Sequence, residues 1–406
     1  MKRVLFFSES VSMAHIARPI YYSRRLHRDQ YQVGFACDGT QKFHFEAEPE
    51  HDWLPIESID NATFTRRLYL GAPVYRLEEL RKYVRDDLKV IEAFRPDLII
   101  GDFRLSLAVS ARISRVPYAA LANAYWNPEY RTKQLTIGHS PLTEWLPVPI
   151  GQAIFTAALP AVHWLHTSPM RRLRAEFGLA PTSPEDLFLA YLDADQVLYT
   201  DIALLYAESP KSASSFIGPC LWEASTTLPS WWGRWPADRP VLYLTMGSTG
   251  RQSVLPEMLE VLGRLPVSVL FAGAGARVPN LPANCFSAPY LPGNACAAVA
   301  DLVVFNGGSG TAQQAAKAGV PMLAVCTNMD QYMGMERLAA LSAAKVMRSD
   351  RFTKGSFKKN VHALLRNSNY AVASRMLAGA YARDKSAEHL VQYCEWVTGA
   401  AVKKVA

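Results

Sequence analysis

The segment Leu302-Val-Val-Phe305-Asn306-Gly307-Gly308-Ser309-Gly310-Thr311 constrains this chain more than any other. Four apolar residues with the character of a buried strand run into a turn rich in glycine, and Thr311 to Ala318 then reads as a helix. Glycine lets the backbone approach an anion closely, and a newly started helix offers unpaired N–H groups at its first turn. Ser309 and Thr311 could add hydroxyl donors. A tight strand-to-helix turn without a ligand satisfies the same residues, so the glycines alone leave both readings open.

The surroundings repeat one pattern. Val241 to Thr245, Val267 to Phe271, Leu302 to Phe305 and Pro321 to Val325 read as strands. They alternate with helices at Pro256 to Arg264, Thr311 to Ala318 and Tyr332 to Ala340. The second of these strands ends in Ala272-Gly273-Ala274-Gly275. The first half alternates in the same way. Strands are expected at Val4 to Phe7, Gln32 to Cys37, Asp97 to Gly101 and Tyr118 to Leu121. Helices are expected at Ile20 to Leu26, Arg76 to Phe94 and Leu105 to Ile113. Strands separated by helices imply right-handed crossovers and parallel sheets. Between the halves, Gly218-Pro219, Thr226-Thr227-Leu228-Pro229-Ser230, Pro236 and Pro240 have linker chemistry. The expected organisation is a domain over 1–218, a linker over 219–239, a second domain over 240–380 and a tail over 381–406. The tail, Lys385 to Val402, is read as a helix crossing back over the first domain.

Composition narrows the class. With 406 residues, half of them apolar and 19% charged, the chain can bury two cores. Its six cysteines form no C-x-x-C pair and no zinc spacing, which points to reduced thiols in a cytoplasmic protein without a metal. The apolar run after Met1 is too short for a signal peptide. The formal net charge is +7, carried by short basic pairs such as Arg24-Arg25, Arg66-Arg67, Arg171-Arg172 and Lys403-Lys404. No aromatic-interleaved stripe suggests nucleic acid. The mild positive field would suit an anionic small molecule or an anionic membrane surface, although solvated helix faces explain the same pairs. Trp145 to Leu165 is the longest apolar stretch. Pro147, Pro149, Gly151 and Pro160 argue against a spanning helix, so loop and short helix are expected there, lining an apolar pocket.

After Asn306-Gly-Gly-Ser-Gly-Thr-Ala-Gln-Gln314 come Gly319-Val320-Pro321 and Asp330-Gln331. This order and spacing resemble the family-1 glycosyltransferases of antibiotic type, whose signature runs H-G-G-x-G-T-x-x-E, then G-V-P, then D-Q. Pro289-Tyr290-Leu291-Pro292-Gly293 and Gly247-Ser248-Thr249 resemble two further segments of that family. The resemblance implies two facing Rossmann-like, doubly wound domains (the GT-B fold) with an interdomain cleft, and a nucleotide diphosphate sugar as donor. By the same resemblance, Tyr290 would stack on the base and the Leu291 backbone would read its edge. Gly247, Ser248, Thr249 and the amides of Gly308, Ser309, Gly310 and Thr311 would hold the diphosphate, and Asp330 and Gln331 would bond sugar hydroxyls. Helix capping, with Asp330 as the cap, is the alternative for that last pair. Two positions depart from the signature. Asn306 replaces a histidine and cannot carry charge. Gln314 replaces a glutamate and has a single acceptor oxygen, which suits a ribose lacking one hydroxyl and favours dTDP over UDP.

In the first half, Ser8-Glu-Ser-Val-Ser-Met-Ala-His15-Ile-Ala-Arg-Pro19 occupies the place where relatives carry a catalytic histidine. Asp102 follows the strand Asp97 to Gly101, where they carry its aspartate partner. The pair suits the chemistry. An acceptor hydroxyl needs a base, imidazole is one near neutrality, and a carboxylate on its other nitrogen fixes the tautomer. A packing histidine and a helix cap are the plain alternatives. Glu9, Ser10, Ser12, Tyr125 and Trp126 are further candidates facing sugar or acceptor. The implied activity is inverting, metal-independent transfer of a sugar to a hydroxyl of a small, apolar or lipid-like acceptor, of the kind used in natural-product glycosylation. The expected location is cytoplasmic with peripheral membrane contact. A degenerate nucleotide-binding relative and a sugar-nucleotide epimerase are the competing readings. A nicotinamide enzyme is disfavoured because Ser8 to Met13 lacks glycine.

Overall fold

A computed structural model describes residues 1–40, 51–131, 134–206, 214–223, 226–273 and 278–399. Ala274-Gly275 of the glycine turn, the end of the tail from Ala400 to Val402 and the pair Lys403-Lys404 lie outside the described residues. The chain forms two compact units, each built on one parallel sheet.

In the first unit the sheet order is β3-β2-β1-β4-β5-β6. Its strands are β1 (Lys2–Ser8), β2 (Tyr31–Cys37), β3 (Asp52–Pro55), β4 (Leu98–Asp102), β5 (Tyr118–Ala122) and β6 (Gln196–Tyr199). β1, β4 and β5 are buried over all or most of their length because helices cover both faces of a parallel sheet. Leu5, Phe7, Ile99 and Ala120 pack with Val90, Ile91 and Phe94 of the helix Leu77–Phe94. The chain runs outward from β1 to β3 and then returns to β4 on the other side of β1. The carboxyl ends of β1 and β4 therefore flank the point where the order reverses, the usual ligand position in such sheets. The register puts Ser8 beside Asp102 at that point.

The second unit repeats the permutation as β12-β11-β10-β7-β8-β9. Its strands are β7 (Val241–Thr245), β8 (Ser268–Ala272), β9 (Cys285–Ala288), β10 (Leu302–Phe305), β11 (Met322–Cys326) and β12 (Ala344–Arg348). Here the reversal lies between β7 and β10, with Thr245 beside Phe305. Gly247-Ser248-Thr249 and Asn306 to Gly310 leave the sheet from that place.

Two expectations change. The apolar stretch expected to be loop and short helix is part of one helix, Val148–Glu176, which continues through Pro160 and Pro169. Near Pro169 the carbonyls of His163 and Trp164 accept from Thr167 Oγ1 (2.8 and 3.3 Å), and Trp164 O also accepts from Arg171 Nη2 (3.0 Å). The carbonyl that Pro169 leaves without a helical donor is the next one, Leu165 O. The units also interleave differently. The first contains Met1–Lys133, Ala153–Cys220 and Asp384–Ala406; the second contains Gln134–Gln152 and Leu221–Arg383. Gln134–Gln152 belongs to the second unit because its backbone is bound there. Arg348 Nη1 donates to Ile137 O (2.8 Å) and His139 N to Thr327 O (2.6 Å). In the first unit, His389 Nδ1 lies 2.7 Å from Phe216 O, at the start of the helix His389–Thr398.

Candidate active site

At the reversal point of the first sheet, the helix Met13–Ser23 starts just beyond β1 and carries His15 on its first turn. His15 is buried, and its Nδ1 lies 2.6 Å from Asp102 Oδ1. A carboxylate oxygen can only accept, so a bond along this contact takes the ring proton on Nδ1 and leaves the lone pair on Nε2; Arg18 Nη2, a donor, also lies 2.8 Å from Nδ1 and competes for it. The expected pair is therefore brought together. The sequence reading missed the third member. Arg18, one turn further along the same helix, puts Nη2 2.7 Å from Asp102 Oδ1 and Nη1 2.9 Å from Asn123 Oδ1. Its Nε sits 2.6 Å from Oδ2, facing it as a charge rather than along a hydrogen-bond line. Burial opposes the Arg18 charge, but the Asp102 carboxylate outweighs it and holds the guanidinium more firmly protonated than usual.

Aromatic rings wall the imidazole. Phe103 stacks on His15 at 4.4 Å between centroids, and Trp126 lies at 6.5 Å. Phe103 in turn stacks on Tyr191 at 4.6 Å and meets Trp126 at 5.6 Å. It does so from a left-handed backbone with φ 59°, a strained conformation for a bulky side chain and one that clusters at functional sites. Trp126 and Tyr125 are both buried, so Trp126 acts as a wall of the histidine pocket rather than as an open platform. Ser12 occupies the cap position before the helix, and its hydroxyl makes no cap bond.

Glu9 does not face outward. It is completely buried, with Oε2 3.1 Å from Arg104 Nη1 and Oε1 accepting from Tyr83 (3.1 Å). Arg104 also pairs with buried Asp87 at 3.0 Å and lies 3.7 Å over the Tyr83 ring. One cation thus serves two buried carboxylates. Burial pushes the Glu9 carboxyl up to about 7, against the pull of Arg104, and burial raises Asp87 as well.

At the reversal point of the second sheet, the helix Ser309–Ala318 starts after Gly308, with no side chain capping it. The amides of Ser309, Gly310 and Thr311 therefore form the open end of a helix dipole, and nothing crowds Gly310. The Gly308 amide is engaged instead by Asn306 Oδ1 (3.2 Å), while Asn306 Nδ2 donates to Thr249 Oγ1 (3.2 Å). Asn306 thus ties two loops together, which is a different task from the charge of the histidine it replaces. Gly247 has φ 54° and packs against the Asn306 amide. Ser248 lies between it and Thr249 in the same turn.

Gln331 also differs from its expected sugar contact. It is buried, and its Oε1 accepts from Thr327 N (2.7 Å) and Asn328 N (3.3 Å). Its Nε2 donates to Thr249 Oγ1 (3.3 Å). With Asn328 as the actual cap, in place of Asp330, this is a reciprocal capping box. Asp330 sits in the first turn, where a carboxylate complements the helix dipole.

Gln314 donates from Nε2 to Trp222 O (2.9 Å), and its Oε1 lies so close to Gly293 that a Cβ there would come within 2.2 Å. The linker is fastened nearby: Asn294 N donates to Glu223 Oε2 and Asn294 Nδ2 to Leu221 O, both at 2.8 Å. Tyr290 is 52% exposed, while Leu291 is buried. Among the described residues no three of His, Cys, Asp and Glu are grouped to hold a metal ion.

Residues 248–397 match the family described as "Erythromycin biosynthesis protein CIII-like, C-terminal domain". The chain is 36% identical over 392 residues to the PGL/p-HBAD biosynthesis glycosyltransferase of Mycobacterium tuberculosis (strain ATCC 25177 / H37Ra), covering 94% of this chain and 89% of the relative. It is 36% identical over 393 residues to the PGL/p-HBAD biosynthesis rhamnosyltransferase of Mycobacterium bovis (strain BCG / Pasteur 1173P2), covering 95% and 85%. Among solved structures it is similar to spinosyn rhamnosyltransferase SpnG complexed with thymidine diphosphate. The TM-score is 0.66 at 17% identity, covering 97% of this chain and all of that one.

Proposed function

Because the chain belongs to the antibiotic-type family-1 glycosyltransferases, we propose that it moves a sugar from a thymidine diphosphate donor to a hydroxyl of an apolar, lipid-like acceptor. The observation that carries the catalytic part is the 2.6 Å contact between His15 Nδ1 and Asp102 Oδ1, which leaves Nε2 as the base. Nε2 takes the hydroxyl proton as the acceptor oxygen bonds to the anomeric carbon. The bond from that carbon to the diphosphate breaks, and Asp102 stabilises the imidazolium. The departing diphosphate gains charge toward the amides of Ser309, Gly310 and Thr311, with the hydroxyls of Ser248 and Thr249 beside them. One displacement inverts the anomeric centre, and this route uses no metal.

Thymidine is supported by Gln314, whose Nε2 is spent on Trp222 so that one acceptor oxygen remains for a ribose hydroxyl. The solved neighbour carries the same nucleotide. A lipid-like acceptor is supported by the uncovered apolar first half of the helix Val148–Glu176 and by relatives named for PGL/p-HBAD biosynthesis. The reading places the enzyme in the cytoplasm, working at a membrane periphery.

The test is transfer by the full chain from a panel of dTDP- and UDP-sugars to alkylated phenols. The expected product has inverted configuration, and His15→Ala lowers turnover about 10²–10⁴-fold while dTDP still raises the melting temperature. Nucleotide binding without transfer would instead support a degenerate partner protein. Sugar conversion without acceptor would indicate an epimerase.

A further inference from the structure

The helix Val148–Glu176 has a buried face only from His163 onward; of residues 148–162 only Gly151 is buried. His163, Thr167, Met170, Leu173 and Arg174, spaced by three and four, are buried, and Met170 and Leu173 join the cluster around Leu80 and Val84. On the other side, Ile150, Ile154, Trp164 and Leu165 are between 46% and 53% exposed. At 3.6 residues per turn these positions share one stripe, and its next members are Ser168 and Arg172. There the stripe meets a cavity of about 630 Å³ lined by Arg66, Arg67, Arg76 and Arg172 and by no acidic residue. Arg67 is held by Glu79 at 2.6 Å. No carboxylate among the described residues pairs with Arg66 or Arg172. Arg171 sits 5.0 Å over the Trp164 ring, a cation and an indole at the border between the apolar and basic parts.

From His163 onward the helix is anchored by a face buried in its own protein, while the apolar window before it is only 11% buried and lies open. The exposed stripe from Ile150 to Leu165 is only about 22 Å long at the helical rise, short of a hydrocarbon core of about 30 Å. An uncovered apolar segment that ends in a tryptophan and arginines has the chemistry of a helix seated in the interface. We infer that this face docks the enzyme on an anionic membrane: the apolar stripe enters the interfacial layer, and the arginine-lined cavity receives the phosphate of a lipid headgroup. The inference deepens the lipid-acceptor reading and rests on it for its purpose, but its test needs neither donor nor acceptor.

The full chain is floated with vesicles of phosphatidylcholine alone and of phosphatidylcholine with 30 mol% (about a third) phosphatidylglycerol. The expected result is at least tenfold tighter binding to the anionic vesicles, weakening as salt rises. Ile154→Ser with Trp164→Ser and Leu165→Ser should abolish binding. Arg66→Gln with Arg172→Gln should remove the preference for anionic lipid and leave the melting temperature unchanged. Failure of the wild type to float, or binding that survives both sets of substitutions, would overturn the inference. So would a wild-type dimer that the serine variant splits without losing vesicle binding, since the stripe would then be covered by a second copy. A protein that floats but transfers no sugar fails the proposed function alone. One that glycosylates a soluble acceptor but never floats fails only this inference.

Discussion

Arg18 shares Asp102 with His15: its Nη2 reaches the same carboxylate oxygen at 2.7 Å that the imidazole reaches at 2.6 Å. His15 is therefore part of a buried three-residue arrangement in which the arginine fixes where the carboxylate points. Arg18→Gln removes the charge and leaves Asp102 buried with one partner fewer. Breaking a buried pair costs about 3–5 kcal/mol, so a lower melting temperature is expected. In protein that remains folded, kcat should fall at least tenfold with the donor KM unchanged. An equal change in both would mean that Arg18 serves only the fold.

Glu9 predicts how stability varies with pH. Burial lifts its folded pKa to about 7, above the 4.5 of a free glutamate, so the native state holds a proton that the unfolded chain has released between those values. The contribution is present in acid and is lost as pH rises through 7. The difference corresponds to an upper figure of about 3 kcal/mol. Chemical denaturation between pH 5 and pH 8 should show this fall in wild type and a flatter profile in Glu9→Gln. Any constant cost of the amide beside Arg104 and Tyr83 leaves the slope difference intact.

Gly293→Ala should disturb Gln314, since the added Cβ would stand 2.2 Å from Oε1. The amide must swing away from Trp222, and such overpacking costs about 1–3 kcal/mol. Isothermal titration with dTDP should show weaker binding, accompanied by a lower melting temperature.

Tyr290→Ala should weaken dTDP and UDP alike, because stacking reads only the face of a base. A loss of about 1–3 kcal/mol per base is typical of such contacts. The half-exposed ring has little to do in the fold, so the melting temperature of the free protein should stay the same. Unchanged nucleotide affinity would remove Tyr290 from the site.

The strands legible in the sequence are the inner ones. β1, β4, β5, β7, β8, β10 and β11 read as apolar runs because both of their faces are covered. β3, β6, β9 and β12, absent from the sequence reading, are the four edges, and their mixed burial breaks the apolar run. The long helix was hidden by its prolines, which normally end or kink a helix. At the site, His15 and Asp102 were legible through motif position. Arg18 was visible only as a residue three positions further on the same helix face. Asn328 and Gln331 carried a readable capping-box spacing that the sugar-binding assignment had claimed. Glu9 and Arg104 lie 95 residues apart, and nothing local announces their pairing.

The path of the chain also bears on recombination between relatives. Trp222 and Glu223 are fastened to Gln314 and Asn294, and Gln134–Gln152 is bound to the strand end at Arg348. A hybrid joined once, near residue 240, would give the second unit a foreign tether and a foreign strap at the same time. One unit therefore cannot be exchanged between relatives by a single cut of the chain. A working exchange needs four junctions: one on each side of Gln134–Gln152, one just before Leu221, and one near Asp384 to return the last helix to its own unit.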